Sequence, residues 1–430
     1  MTHSISNIRE NWDTFVKKTK SRGFNGGFND FDIEKIIAID DERKNLILKT
    51  QDLQNKRNIL AKQIGASKND KELYDKYMQE STKLKDELAS LEDLAKQKQN
   101  ELDYLLDRIP NQIDDSVVIG KDENDNKEIK KWGEIKKFDF AIKDHTQIGN
   151  DLKMMDFETA AKNSGARFVY LYSSLAKLER ALINFALNEL SLSNFVECSP
   201  PLIVNRNAYY GTGQLPKFEG DFFKIDDDKF LISTSEISVA NIFNNTIVSE
   251  ASLPIRYTAC TPGFRSEAGS SGKDTKGMIR MHQFYKVEMV VASSPEDSES
   301  EHQKMLAITE SLLQKLELPY RVISLCSGDI GFSASKTFDI ECWIPSQNKY
   351  REVASISNTR DFQARRMMGR FKRSDISGKG KNEYLHLLNG TAIACGRILV
   401  SIIENNQQKD GSIKIPFALQ PYLNGLEIIK

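Results

Sequence analysis

Residues Ile255–Val290 read IRYTACTPGFRSEAGSSGKDTKGMIRMHQFYKVEMV. This is a strand, a polar glycine-rich loop and a second strand. No crossover helix fits between them, so the two strands should pair antiparallel. The neighbouring runs Lys229–Ser233, Arg321–Leu325 and Phe338–Ile344 also alternate as strands, while Leu175, Leu178, Leu182 and Phe185 recur at helical spacing. Several of these runs are joined by short turns. Residues 151–430 are therefore expected to form a mainly antiparallel sheet with helices packed on it, an α+β domain. Within the loop, Gly269-Ser270-Ser271-Gly272-Lys273 superficially matches a phosphate-binding P-loop. The match fails because Glu267 stands at the first glycine position and Asp274 follows the lysine, where Ser or Thr would hold magnesium.

On the amino-terminal side the texture changes twice. Residues 111–150 are polar and turn-rich, as in Gly120-Lys121-Asp122-Glu123-Asn124, and read as a linker. Residues 31–110 contain Gly65 as their one glycine and Pro110 as their one proline. Ile39, Leu46, Leu53 and Leu60 recur at a stride of seven; so do Tyr77, Leu84 and Leu91, with Leu105 on the same seam. Leu88, Ala95, Leu102 and Ile109 alternate with that second seam. Such heptads predict a coiled coil. The polar run Gly65–Asp70 predicts that its two helices fold back as an antiparallel arm. Arg43, Thr50 and Arg57 occupy the second row of the first helix, so the seam is expected to be partly wet. From the arm alone, an oligomerisation coil is equally open.

The composition excludes several classes. No run of about 18 apolar residues is present, so no membrane span is expected. The first residues lack the charged-then-apolar order of a secretory signal, which points to the cytoplasm. Five cysteines without a CxxC pair read as free thiols, and five scattered histidines give no zinc cluster, so no zinc is expected. A net charge of −1 argues against bulk electrostatic adhesion to nucleic acid. Any RNA contact must come from selected Lys and Arg side chains.

Several blocks in order carry a resemblance. FRSEAG, the loop and IRMHQFYKVEM resemble motif 2 of class II aminoacyl-tRNA synthetases, in the form of bacterial-type seryl-tRNA synthetases. SPPLIVNRNAYYGTGQLPKF, from Ser199, is similar to motif 1 and the segment after it. ISTSEISVAN, from Ile232, resembles the serine-binding segment of that family, and YREVASISNTRDFQARRM, from Tyr350, a further block. LNGTAIACGRILVSIIENNQQKDGSIKIP, from Leu388, resembles motif 3. The arm matches as well, as the tRNA-binding part of a 1–110 domain, so the resemblance spans nearly the whole chain.

The resemblance implies a serine–tRNA ligase that forms seryl-adenylate from ATP and serine and then esterifies the 3′ end of tRNA(Ser). It leaves tRNA(Sec) open as a second acceptor. It further implies a homodimer through motif 1, each arm gripping tRNA bound at the other subunit's site. By the same resemblance, Arg265 and Arg397 are the catalytic pair. Arg265 would hold the α-phosphate and Arg397 the far phosphates, a task suited to a permanently charged fork of donors. Arg265, Ser266, Glu267, Phe284, Glu352, Val353, Ala354, Ser355 and Arg397 would line the ATP site, Phe284 stacking on adenine and Glu267 accepting from its amine. Glu352 and Ser355 match the positions that hold Mg2+. Thr234, Ser235, Glu236, Arg265, Glu288, Asn389 and Thr391 match those that hold serine. Read singly, Arg265 fits a surface salt bridge, Arg397 a buried ion pair, Phe284 a core aromatic and Thr391 a helix N-cap.

The chain departs from the family pattern at four places. It carries Thr234-Ser235-Glu236 for Thr-Ala-Glu, Gly263 for a frequent cysteine, Val353-Ala354 for Ile-Ser, and a shorter arm tip. Two other readings compete. A ligase of this fold that loads a carrier protein would lack the arm. A non-catalytic paralogue would have lost Arg265, Arg397 or Glu352, and all three are present.

Overall fold

The computed structural model describes residues 3–22, 34–267, 276–374 and 380–430. The loop Gly269–Lys273 lies outside them. Met1–Val16 with Phe24–Ile109 form one compact unit, and Lys17–Gly23 with Pro110–Lys430 the other.

In the first unit, α1 (Ile5–Glu10) begins where the Ser4 hydroxyl accepts from the Asn7 N–H; α2 (Trp12–Lys20) comes next and passes into the second unit at Lys17. Two long helices, α3 (Glu34–Ala66) and α4 (Lys71–Leu106), pair antiparallel. At 1.5 Å per residue α4 rises about 54 Å. The Asp70 carboxylate starts it by accepting from the Leu73 N–H at 3.1 Å. The expected seam is the observed one: Ile39, Leu60, Leu88, Leu102 and Ile109 are buried, while Leu46, Leu53, Tyr77, Leu84, Leu91, Ala95 and Leu105 are half-buried. The reversal comes later than the glycine suggested, because α3 runs through Gly65 and the chain turns at residues 67–70.

The polar second row of α3 is more ordered than its composition implied. Arg43 donates to Gln99 on α4 at 2.9 Å and to Asp40 at 2.8 Å, and Thr50 bonds back to the Leu46 carbonyl; Arg57 alone of the three is exposed. Asp40 is fully buried and gathers Arg9, Arg43 and Lys44. Burial alone would raise its pKa, but the hydrogen bonds from Arg43, Lys44 and Arg9 outweigh it and hold the group at about 2.

The second unit is built on an eight-stranded sheet of β1 (Lys127–Trp132), β2 (Val196–Glu197), β3 (Ile255–Phe264), β4 (Gln283–Ser293), β5 (Tyr320–Ser324), β6 (Lys336–Ile344), β7 (Lys349–Arg360) and β8 (His386–Ala394). Their order across the sheet is β1-β5-β6-β7-β8-β4-β3-β2. Every neighbour pair is antiparallel except β2 with β3. The segment read as a linker contributes β1 and the helix α5 (His145–Asp151). Sequence reading missed β1 because KEIKKW is almost wholly exposed at a sheet edge, where lysines suit solvent and deter further pairing.

The remaining helices are α6 (Phe157–Ser164), α7 (Ser173–Leu192), α8 (Arg206–Gly211), α9 (Ser235–Ala240), α10 (Ser298–Lys315), α11 (Phe362–Met367) and α12 (Cys395–Asn405). Alternation along β4 shows how they divide the sheet. Val287, Met289 and Val291 join the large core with Leu175, Leu178, Leu182 and Phe185 of α7, Met305 of α10 and Ile398 of α12. Each such side chain contributes about 1.5–3 kcal/mol by leaving water. Val290 and Ala292 face the other way, against Val239 and Ala240 of α9 and Ala364 and Met367 of α11. On that second face the helices stop short of the start of β4. Phe284, Lys286 and Glu288 are left facing a cavity.

Candidate active site

The cavity has a volume of about 690 Å3. Strand geometry explains most of its lining. Phe284, Lys286 and Glu288 project together because alternate residues share a face. Asn389 and Thr391 do the same on the neighbouring β8, where Thr391 pairs with Glu288 in register. Thr391 Oγ1 points at Glu288 Oε2 across 3.4 Å. β8 continues to Ala394 before α12 begins, so Thr391 is a strand residue, and the N-cap reading is wrong.

Glu352 and Ser355 are three apart on β7 and would face opposite sides of a regular strand. The register slips between them: Ile340 pairs with Ala354, but Glu341 pairs with Glu352. Val353 is the extra residue of a bulge, and the bulge turns both polar side chains to the cavity while Ala354 enters the core. The register partner of Ser355 is Asp339. Burial, then the charge of Glu352, holds the Asp339 carboxyl well above the usual range.

Two arginines close one wall. Arg265 lies just past the end of β3; its Nε donates to the Ser233 carbonyl at 3.4 Å and its guanidinium lies 5.1 Å from the Phe284 ring centre. Burial, then the nearby charge of Arg397, lowers its pKa. Arg397, near the start of α12, donates from Nη1 to the Glu352 carbonyl at 2.9 Å and from Nε to the Ile279 carbonyl at 3.2 Å. It also pairs with the Glu352 carboxylate at 3.2 Å. Arg397, foremost, then holds the Glu352 carboxyl below its usual pKa. This is the ion pair that the residue alone suggested, set in a cavity wall instead of a core.

Thr234 caps α9, accepting from the Glu236 N–H at 3.2 Å. Glu236 accepts from Gln363 at 2.8 Å. Burial, then the charge of Glu288, pushes its pKa up to about 7, with Gln363 pulling the other way. Beside it Lys286 and Glu288 pair at 2.6 Å.

Three expected residues lie off the cavity lining. Ser235 is buried with its hydroxyl unpartnered, Ser266 donates its hydroxyl to the Gly220 carbonyl at 3.0 Å, and Ala354 faces the core. Others were missed. Lys286 was within reach of a period-two reading between Phe284 and Glu288. Gln214 and Arg280 come from loops and Asp221 from the short 3-10 helix Glu219–Asp221, which only the tertiary fold brings here.

Two family models divide the chain. Residues 3–113 match the seryl-tRNA synthetase N-terminal domain, and residues 218–406 match the tRNA synthetase class II core domain (G, H, P, S and T). A serine–tRNA ligase of Saccharophagus degradans is 46% identical over 425 residues, 98% of each chain. The chain belongs to the seryl-tRNA synthetase family. Another ligase of that description, from Azoarcus, is 48% identical over 401 residues, 91% of this synthetase and 92% of the relative. Among solved structures, the Pyrococcus horikoshii seryl-tRNA synthetase complexed with ATP matches with a TM-score of 0.92 and 38% identity over 99% of both chains. The Naegleria fowleri cytoplasmic enzyme in complex with AMP matches with a TM-score of 0.84 and 29% identity, over 97% of this synthetase and 95% of that chain. The fold is thus that of a class II synthetase, and the enzyme class is aminoacyl-tRNA synthetase.

Proposed function

We propose that the cavity is where serine reacts with ATP before its transfer to tRNA(Ser). The serine carboxylate attacks the α-phosphorus and pyrophosphate leaves. The 3′-terminal ribose hydroxyl of the tRNA then attacks the seryl-adenylate carbonyl, releasing AMP. The observation that carries this reading is that one cavity is lined by Arg265 and Arg397 together with Glu236 and Glu288. The arginines receive phosphate oxygens and the carboxylates receive an ammonium.

Arg265 holds the α-phosphate, where charge grows as pyrophosphate departs, and Arg397 exchanges its hold on Glu352 for the distal phosphates. Phe284 supplies a face for adenine and Glu267 an acceptor for its amine. The serine ammonium sits among Thr234, Glu236 and Glu288, and its hydroxyl reaches Asn389 and Thr391. A pocket that bonds this hydroxyl rejects alanine by leaving its own polar groups unpaired. The attacking carboxylate is already ionised, so the chemistry needs placement and charge stabilisation, with no general base.

Among the described residues no group of three or more His, Cys, Asp or Glu side chains is placed to hold a metal. Magnesium with a nucleotide needs only one or two carboxylates beside phosphate and water oxygens. Glu352 and Ser355, turned together by the bulge at Val353, fit that demand. When bound there, Mg2+ neutralises phosphate charge and orients the chain of phosphates.

The paired helices α3 and α4 grip the tRNA by shape and a few chosen contacts. The enzyme works in the cytosol as a homodimer through the motif 1 segment. Ile203 within that segment and Val196 just ahead of it, 52% and 60% exposed, support the pairing. No helix among the described residues is long and apolar enough to cross a membrane. The reading is tested by incubating the enzyme with ATP, labelled serine and purified tRNA(Ser). Ester-linked label on the tRNA supports it; none, or equal labelling by alanine, contradicts it.

A further inference from the structure

The strand β4 is preceded by residues 276–281, of which Met278, Ile279, Arg280 and Met281 form part of the cavity wall. This stretch is not a strand, so no ladder of backbone bonds holds it in place. It is held from outside. The Ile279 carbonyl accepts from Arg397 at 3.2 Å, Arg280 pairs with Glu267 at 3.3 Å, and the Met278 N–H donates to Nε2 of His145 at 3.1 Å.

His145 begins α5, in the segment that read as linker, and is 4% exposed. Its other ring nitrogen, Nδ1, lies 2.8 Å from Glu404 Oε1, which also accepts the His145 backbone N–H at 3.1 Å. Glu404 is fully buried on α12, and its second oxygen accepts the Ser346 N–H at 3.0 Å. The bonding pattern fixes the ring. An acceptor is needed at Nε2 for the Met278 N–H and a donor at Nδ1 for the carboxylate, so the imidazole is neutral with its proton on Nδ1. Gly277 confirms the tight fit: its φ is +81°, and a Cβ there would come within 2.2 Å of His145 Nε2.

Glu404 and Arg397 are seven residues apart on α12, two turns along one face. One helix thereby holds two consecutive residues of the wall, Ile279 directly through Arg397 and Met278 through the Glu404–His145 relay. We propose that His145 is a positioning residue of the nucleotide half of the cavity, holding Met278–Arg280 in the shape that receives ATP. This rests on the reading of the cavity as the ATP and serine site. The serine end, at Glu236, Glu288 and Thr391, is not among the relay's contacts.

The test compares three substitutions by serine-dependent exchange of pyrophosphate into ATP. His145→Gln can return an acceptor at the Nε2 position, His145→Asn can return only a donor at the Nδ1 position, and His145→Ala returns neither. The expected result is a KM for ATP raised about tenfold in the Asn and Ala variants, with His145→Gln within about threefold of wild type. The KM for serine should stay within about twofold in all three, and thermal unfolding identifies any variant that is not folded. The proposal is overturned if the Gln variant is as impaired as the Asn variant, or if the two KM values rise together in folded protein. A wild-type enzyme inert with serine would instead remove the reading of the cavity itself, a separate outcome.

Discussion

Arg397 binds Glu352 twice, through the backbone carbonyl at 2.9 Å and through the carboxylate at 3.2 Å. The pair places the proposed phosphate-binding cation and the proposed magnesium carboxylate in contact. Arg397, foremost, holds the Glu352 carboxyl below its usual pKa, so the carboxylate can be redirected to a cation without losing a proton.

Arg397→Ala should reduce pyrophosphate exchange by about 10²–10³-fold, the range for losing one preorganised charged donor. Glu352→Gln should instead raise the Mg2+ concentration that gives half-maximal exchange. A magnesium titration of both variants separates the roles. Equal magnesium requirements in wild type and Glu352→Gln would remove Glu352 as the ligand.

Glu236 has a pKa of about 7 in the fold against an ordinary 4.5. Folding raises this acid's pKa, so the native state binds more proton between those values. Its contribution to stability is full below about 4.5 and is lost as the pH rises to about 7. Glu236→Gln is neutral throughout, so its melting temperature should gain on wild type between pH 5 and pH 8. Serine, bringing an ammonium, should expel the proton. Calorimetry near pH 6 in buffers of different ionisation enthalpy should register that release in wild type and not in the variant.

Ser235 carries a buried hydroxyl without a partner, next to Thr234 and Glu236, which both line the cavity. Ser235→Ala should stabilise the protein by about 1 kcal/mol and leave the kinetics for serine unchanged. Denaturant unfolding and steady-state exchange check both halves. A large rise in the KM for serine would make Ser235 a serine-binding group after all.

Legibility in the sequence divides along physical lines. The seams of α3 and α4 were readable because a heptad repeats one demand many times. The β3–β4 pair was readable because alternation fixes a face. Read singly, Thr391 looked like a helix N-cap because Asn389-Gly390 resembles a break before a helix, whereas Gly390 sits within β8 opposite Met289. β1 was missed because an edge strand of lysines satisfies none of the burial signals. The cavity was legible where a strand sets spacing, at Phe284 and Glu288. It was illegible at Gln214, Asp221 and Arg280, which segments outside the sheet deliver. The bulge at Val353 could not be seen in the sequence, yet without it Glu352 and Ser355 would face apart.

The arm supplies a test independent of the cavity. Gln54 and Glu92 face each other across α3 and α4 at 3.3 Å, so joining the helices there with a short turn removes the distal arm in register. Pyrophosphate exchange should remain within about twofold of wild type, because no adenylation group is on the arm, while serylation of tRNA should fall by at least about 100-fold. Normal charging by the shortened enzyme would contradict the role given to α3 and α4.

The most direct measurement is amino-acid-dependent exchange of labelled pyrophosphate into ATP by the intact enzyme, with serine, alanine and threonine in parallel. Exchange is expected with serine, with a loss of about 10⁴-fold or more in kcat/KM for alanine and little exchange with threonine. No exchange with serine, or alanine or threonine serving as well, would contradict the assignment of the cavity to seryl-adenylate formation.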